Sequence, residues 1–197
     1  PGDGRWTQNG DPAYLKQAAR ASASRLGVDA IGLYQFHRPD PRVPYADSVG
    51  ALAELLDEGV IELAGISNAS ITQIDEARGI LGERLVSVQN QFSPRHTSAL
   101  AELEHCAQLG LAFLPWSPLG GIAHAGQVGA TASVMSEIAL AREVSAYQVV
   151  LAWELALDPV VIPIPGASRP ASILDSARAA DLQLDAADLV RIENYLI

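Results

Sequence analysis

Five short apolar runs, at about 30–36, 61–66, 86–90, 112–116 and 160–164, constrain this chain more than any other feature. Each is rich in Ile, Leu, Val, Ala or Phe and is bounded by turn residues, as parallel strands covered on both faces should be. Helical segments with their own start and stop signals lie between them. Asp11-Pro12 is a cap followed by a first-turn proline, and Gly27 ends that helix. Ser70-Ile71-Thr72-Gln73 and Ser145-Ala146-Tyr147-Gln148 have the capping-box form. Gly59, Gly82 and Gly110 stand where helices should stop, and Leu100, Leu103 and Cys106-Ala107 recur at helical spacing. The resulting order, α-β-α-β-α-β-α-β-α-α-β-α-α, predicts an α/β fold with a parallel sheet. No linker or low-complexity segment divides residues 1–197, which therefore read as one domain. The architectures on offer are a (β/α) barrel of the TIM type and an open doubly wound sheet. A complete eight-stranded barrel takes about 250 residues. Five strands in 197 residues give an incomplete barrel or a complete open sheet.

Composition removes several function classes. The net charge of −10 argues against nucleic acid or an anionic membrane surface as partner. No apolar run reaches the roughly 18 residues of a spanning helix. The segment from Pro1 to Trp6 is neither basic nor apolar, which predicts no signal peptide and a cytoplasmic location. Cys106 is the only cysteine, so an internal disulfide and a multi-thiolate zinc site are excluded. The histidines are too scattered for a metal cluster, and none is expected. His96, His105 and His124 read as surface residues. A Gly-x-Gly-x-x-Gly fingerprint, a Walker loop and a Gly-x-Ser-x-Gly elbow are all missing.

Chemistry-bearing residues gather just past the C-terminal ends of the five runs, the edge at which parallel α/β folds bind ligands. The last run ends in Ile162-Pro163-Ile164-Pro165-Gly166-Ala167-Ser168-Arg169-Pro170. Pro170 suits a first helical turn, so free backbone donors, Ser168 and Arg169 meet at one helix N-terminus, a ready anion site. His37 closes the run Ile31-Gly32-Leu33-Tyr34-Gln35-Phe36-His37. Strand alternation puts Leu33, Gln35 and His37 on one face and Tyr34 and Phe36 on the other. His37 either caps the strand or donates to a substrate oxygen, as a neutral imidazole can polarise a carbonyl. Ser67-Asn68 and Gln89 offer hydroxyl and amide groups to another amide; for Ser67-Asn68 the alternative is turn formation. Gln89 lies inside an apolar run, where a buried polar group needs a partner. Trp116 either stacks on a planar ring or fills the core. Asp175 and Ser176 contact an adenine or ribose, or form an ordinary polar helix face.

These segments together resemble the aldo-keto reductase family. The match rests on 34–41 (YQFHRPDP), 58–68 (EGVIELAGISN), 87–94 (SVQNQFSP), 114–121 (LPWSPLGG) and the 163–170 loop, in family order over nearly the whole chain. The resemblance implies a (β/α)₈ barrel that binds NADP(H) across its C-terminal mouth and transfers hydride between nicotinamide and an aldehyde or ketone. It implies that His37 orients the carbonyl and that Ser67, Asn68 and Gln89 contact the carboxamide. Trp116 would lie at the nicotinamide ring, and Ser117 and Leu119 in the pyrophosphate loop. Gly166, Ser168, Ser172, Asp175 and Ser176 match adenosine-side positions. The family's catalytic set is Asp, Tyr, Lys and His, and only the histidine is matched here. Lys16, the only lysine, sits on the first helix. The chain thus resembles strands four to eight of the eight-stranded barrel with their helices. Ser172 stands where other members place an arginine for the adenosine phosphate; with Arg169 as its substitute, NADP(H) is favoured over NAD(H). A partial barrel exposes strand edges, which predicts self-association. The alternative to an oxidoreductase acting on a small carbonyl or alcohol is a truncated, non-catalytic nucleotide-binding module.

Overall fold

The computed structural model describes residues 7–121 and 134–196 and resolves into two compact units. His124 lies outside the described residues.

The first unit comprises residues 1–89 with 109–111. It begins with α1 (Pro12–Leu26), where the Asp11 carboxylate accepts from the Tyr14 N–H at 2.9 Å. Gly27 ends α1 in the left-handed region, at φ 69°. The apolar stripe Leu15, Ala19 and Ala23 buries one face of α1. Three strands follow, β1 (Ile31–Phe36), β2 (Ile61–Ser67) and β3 (Leu85–Gln89), with α2 (Tyr45–Asp57) and α3 (Ile71–Leu81) between them. β1 pairs parallel with β2, and β2 with β3. Two helical connections carrying the chain back explain the parallel sense. The α3 start forms the full reciprocal capping box between Ser70 and Gln73. Phe36, Ala64, Ile66 and Val88 are buried on one sheet face. On the other, the registered pair Leu33 and Leu63 is 39% and 40% exposed.

The second unit comprises residues 90–108 with 112–197. Its described elements are α4 (Leu100–Leu109), β4 (Ala112–Phe113), α5 (Val134–Ala141), α6 (Ala146–Leu157), α7 (Pro170–Ala177) and α8 (Ala186–Leu196). The element order matches the sequence reading with two corrections. The run expected over 112–116 is a strand only at Ala112–Phe113, and 160–164 makes isolated parallel bridges, Phe113 with Val161 and Trp116 with Ile164. Pro115, Pro163 and Pro165 have no N–H, so they cannot donate to a ladder. The surviving bonds keep the direction: Phe113 N–H to Val160 O, Ile162 N–H to Phe113 O and Ile164 N–H to Pro115 O, at 2.8, 2.8 and 3.2 Å. Phe92 centres this unit's core, stacked on Trp153 with ring centroids 5.8 Å apart and edge-on to Phe113 at 6.2 Å. Ser145 caps α6, but its box is half-formed. Gln148 does not reach back to the cap; its Nε2 donates to Asp175 Oδ1 at 2.6 Å.

Candidate functional site

In the first unit the ends of β1, β2 and β3 bring together four of the residues singled out by sequence. Asn68 is the lace. It stands just past β2 with φ 55°, a left-handed conformation that asparagine tolerates better than most residues. Its Nδ2 donates to the His37 carbonyl at 2.9 Å and to Ser67 Oγ at 3.0 Å. Its backbone N–H donates to the Gln89 carbonyl at 3.0 Å, and the Ser67 hydroxyl donates to that same oxygen at 2.6 Å. Ser67 is buried, and its single O–H is occupied by this bond, so it can meet a ligand only through a remaining lone pair. The turn reading of Ser67-Asn68 therefore holds, and one lone pair of Ser67 stays open to a ligand. Register places Ser67 beside Gln89, and one step back along each strand's face Gln35 beside Gly65 and Gly65 beside Ser87.

Gly65 is where that inner row requires a glycine. A Cβ there would lie 2.4 Å from Ser87 Oγ and 2.9 Å from Gln35 Cγ. Gln35 Oε1 and Ser87 Oγ are both buried without a hydrogen-bond partner. Tyr34 and Phe36 turn to the opposite face, as alternation requires; Phe36 meets Tyr45 at 6.2 Å between centroids. Burial pushes the Tyr34 hydroxyl pKa up, with Tyr14 adding to the shift and Arg25 opposing it. That is the wrong direction for a proton donor. Lys16 pairs with Glu54 of α2, which fixes it on the helical layer. Neither side chain can replace the acid and lysine of the family's set.

The loop after β1 carries a feature the sequence reading missed. Asp40, buried at 4% exposure, accepts from Gly10 N–H at 3.1 Å, Arg42 N–H at 3.0 Å, Arg42 Nε at 2.9 Å and Arg42 Nη2 at 2.8 Å. Arg42 Nη2 also donates to the Gln8 carbonyl at 2.8 Å, and the Ser48 hydroxyl to the Gly10 carbonyl at 2.7 Å. These bonds, the Arg42 guanidinium foremost, hold the Asp40 carboxyl well below the usual carboxylate range. An Asp-Pro-Arg run in a loop was the available signal, because a carboxylate and an arginine two residues apart can fork together. Beside this clasp a cavity of about 520 Å³ is lined by Thr7, Gln8, His37, Arg38 and Arg42.

The second unit assembles another group. Ser117, Pro118, Leu119, Gly121, Ile164, Gly166, Ala167 and Ser168 line a cavity of about 570 Å³. Ser117 at φ 55° and Gly120 and Gly121 at 82° and 78° bend the 117–121 segment tightly. Arg169 is the N-cap residue of α7 but makes no side-chain cap bond, and it is not among the residues lining the cavity. Trp116 is half-buried, its backbone N–H bonded to the Asn90 carbonyl at 3.0 Å. Ser172 and Ser176 are half-buried on α7. Asp175 has a structural occupation: it accepts from Ser145 Oγ and Gln148 Nε2, both at 2.6 Å, and so ties α7 to the start of α6. His96 and His105, read as surface residues, are half-buried, with His96 Nε2 2.9 Å from Ser98 Oγ.

Among the described residues no group of three or more His, Cys, Asp or Glu is arranged to hold a metal ion. No described helix is long and apolar enough to cross a membrane. Cys106 is a buried free thiol whose pKa burial raises to about 12, which removes it as a nucleophile.

Comparison with known proteins follows the same lines. The model of the aldo/keto reductase family matches residues 1–197. An uncharacterised oxidoreductase of Schizosaccharomyces pombe is 33% identical over 192 residues, 98% of this chain and 61% of that protein. Pyridoxine 4-dehydrogenase of Escherichia coli is 31% identical over 188 residues, 92% of this chain and 63% of its own length. The solved structure of an aldo/keto reductase from Klebsiella pneumoniae with NADP and acetate superposes with a TM-score of 0.82 at 26% identity, covering 95% of this chain and 66% of that one. These neighbours are TIM barrels, which fixes the fold class as parallel α/β of that type. The chain spans about three fifths of the length of the curated relatives it matches. With the family model matching from end to end and relatives above 30% identity, the chain belongs to the aldo/keto reductase family.

Proposed function

We propose that this chain supplies the cofactor-holding part of an NAD(P)H-dependent aldo/keto reductase acting on a small aldehyde or ketone. The observation that carries the reading is the lace at the ends of three adjacent parallel strands, where Asn68 and Ser67 fix His37 and Gln89 through backbone carbonyls. Rigid polar groups at strand ends are what a carboxamide and a carbonyl require. In this reading Ser67, Asn68 and Gln89 hold the carboxamide, with Ser67 as acceptor for its NH₂. Trp116 covers the ring face. The 117–121 segment and Gly166, Ser168 and Arg169 hold the phosphates, and Ser172, Asp175 and Ser176 the adenosine. The residues present fit that group: the second unit's cavity is built from glycines, small hydroxyl side chains and turn backbone, which allow close approach to phosphate oxygens. NADPH supplies the hydride when bound. His37 orients the carbonyl oxygen by donating a hydrogen bond from its ring, and the lace keeps its backbone fixed while it does so. NADP-bound neighbours such as the Klebsiella enzyme favour NADP(H) over NAD(H). The reading keeps residues 1–197 as a partial barrel, strands four to eight of eight.

A second reading has its own observation. Tyr34 faces away from His37 with a raised pKa, and Lys16 is paired on α1, so the described residues hold no substitute for the proton relay. As it stands, the chain then binds cofactor without turning it over. Calorimetry with NADPH tests both readings. Binding in the micromolar to millimolar range, weakened by Gln89→Ala, is expected; no heat at millimolar NADPH from a folded sample would reject them.

A further inference from the structure

The cavity beside His37 is cationic. Its described lining is Thr7, Gln8, His37, Arg38 and Arg42, with no carboxylate among them, in a chain of 23 acids and 13 lysines and arginines. Asp40, two residues past Arg38, is turned into the clasp and fully engaged, accepting the fork of Arg42 and two backbone N–H groups. That fork neutralises Arg42 and fixes it as a wall. It leaves Arg38, exposed and next in sequence to His37, with no acid paired to it among the described residues. The loop cannot drift easily: a Cβ on Gly10 would lie 2.8 Å from Ser48 Oγ and 2.9 Å from Asp40 Cβ, so the 8–10 segment packs directly on it. The cavity, at about 520 Å³, is the size of a small-molecule site.

We infer that the substrate taken beside His37 carries, besides its carbonyl, a separate anionic group, carboxylate or phosphate, and that Arg38 is the residue that reads it. The carbonyl half of this inference rests on the proposed reduction; the anion half rests on the cavity alone. A guanidinium meets either anion with two parallel N–H bonds, and the clasp keeps the loop that carries it in one place. A neutral substrate of the same size would lack that bond while still displacing water from the guanidinium.

The test compares matched pairs on the 197-residue chain: succinic semialdehyde against butanal, and glyceraldehyde 3-phosphate against glyceraldehyde, followed by the His37 ring signals in NMR at low salt. In at least one pair the charged member should bind about tenfold tighter, a difference of about 1.4 kcal/mol, and should move the His37 signals. The pair that shows it names the anion. The advantage should vanish in Arg38→Gln, reverse in Arg38→Glu and shrink in about 0.5 M salt. It should persist in Arg20→Gln, an exposed position on α1 paired with Glu58. Equal binding within both pairs, a preference that survives Arg38→Gln, or binding that leaves His37 unmoved would each overturn the inference. A separate NADPH titration keeps the two ideas apart. Lost NADPH binding with the anion preference intact removes the cofactor reading alone, and the reverse pattern removes this one alone.

Discussion

In the first unit, His37, Ser67-Asn68 and Gln89 end three laddered strands, and these residues are tied to one another by four hydrogen bonds of 2.6 to 3.0 Å. In the second, Gly166, Ala167, Ser168 and Arg169 lie exposed on a segment whose prolines limit pairing to isolated bridges, and it leads into α7, which buries none of its residues. Under the proposed function the two regions would meet different demands. Carbonyl and carboxamide groups must be held to fractions of an ångström, which only groups fixed by neighbours can do. Phosphates carry charge that acts over several ångströms, so an exposed, glycine-bearing loop suffices. Under that proposal, order in the first region and openness in the second answer two different chemical tasks.

The largest expected effect tests whether order alone makes the first unit a catalyst. The purified 197-residue chain should show negligible carbonyl reduction with NADPH, while the same residues joined to upstream strands bearing Asp, Tyr and Lys should turn over. A positioned general acid contributes about 10² to 10⁴ in rate. The loss of NADPH absorbance at saturating aldehyde measures it. Equal rates for the two proteins would mean that the proton donor lies within this chain and that Tyr34 or Lys16 has been misjudged.

Much of this contrast was legible in the sequence. Apolar runs bounded by turns marked β1, β2 and β3, and Asp11-Pro12, Ser70–Gln73 and Gly27 marked helix ends, because each of those signals is local and acts within four residues. The strand ends carrying His37, Asn68 and Gln89 were legible for the same reason. What was not legible depends on distant partners. Asp40 and Gly10 are thirty residues apart, and nothing in either segment announces their bond. Gln148 looked like half of a capping box, yet a carboxylate 27 residues away, Asp175, takes its amide. The 160–164 run read as a strand because its β-branched residues have that propensity, while the prolines within it limit pairing to isolated bridges.

Two glycines separate the two regions by how closely each is packed. Gly65→Ala puts a methyl against Ser87 Oγ and Gln35 Cγ in the closed row of the first unit, and should destabilise by about 1–3 kcal/mol. Gly166→Ala meets nothing within 4 Å and has no positive φ, so it should stay within about 0.5 kcal/mol. Urea unfolding of both variants reads the difference. Equal losses would mean that the second unit's loop is as closely packed as the strand row.

The second unit is not uniformly loose, and its core holds an acid that should work against it. Glu154 on α6 is 0% exposed, and neither carboxylate oxygen has a hydrogen-bond partner. Burial raises its pKa well above 4.5. A raised folded-state pKa means the acid's contribution is fully present below about 4.5 and is lost as pH climbs through the folded value. The second unit should therefore weaken as pH rises from that point. Glu154→Gln should flatten the trend, and Glu154→Leu should stabilise by about 1 kcal/mol, roughly 2–4 °C in Tm. Thermal melts across pH follow it. A melting temperature indifferent to pH in the parent chain would mean that Glu154 finds a partner in solution.

The smallest effect concerns the open end of the proposed cofactor site. Arg169 is exposed at the N-cap position of α7, and its side chain makes no cap bond, so removing its charge should leave the fold's stability unchanged. If Arg169 stands in for the arginine absent at position 172, it should contact the extra phosphate that distinguishes NADPH from NADH. An exposed charge contact of this kind contributes about 0.2–1 kcal/mol. Arg169→Gln should then weaken NADPH by up to about fivefold, less at high salt, and leave NADH unaffected. The ratio of the two dissociation constants is the informative quantity. An equal loss for both cofactors would place Arg169 on the shared pyrophosphate, and no loss for either would place it outside the cofactor's reach. Either result would still leave the exposed loop as the more tolerant of the two regions, because in neither case does the substitution disturb a packed neighbour.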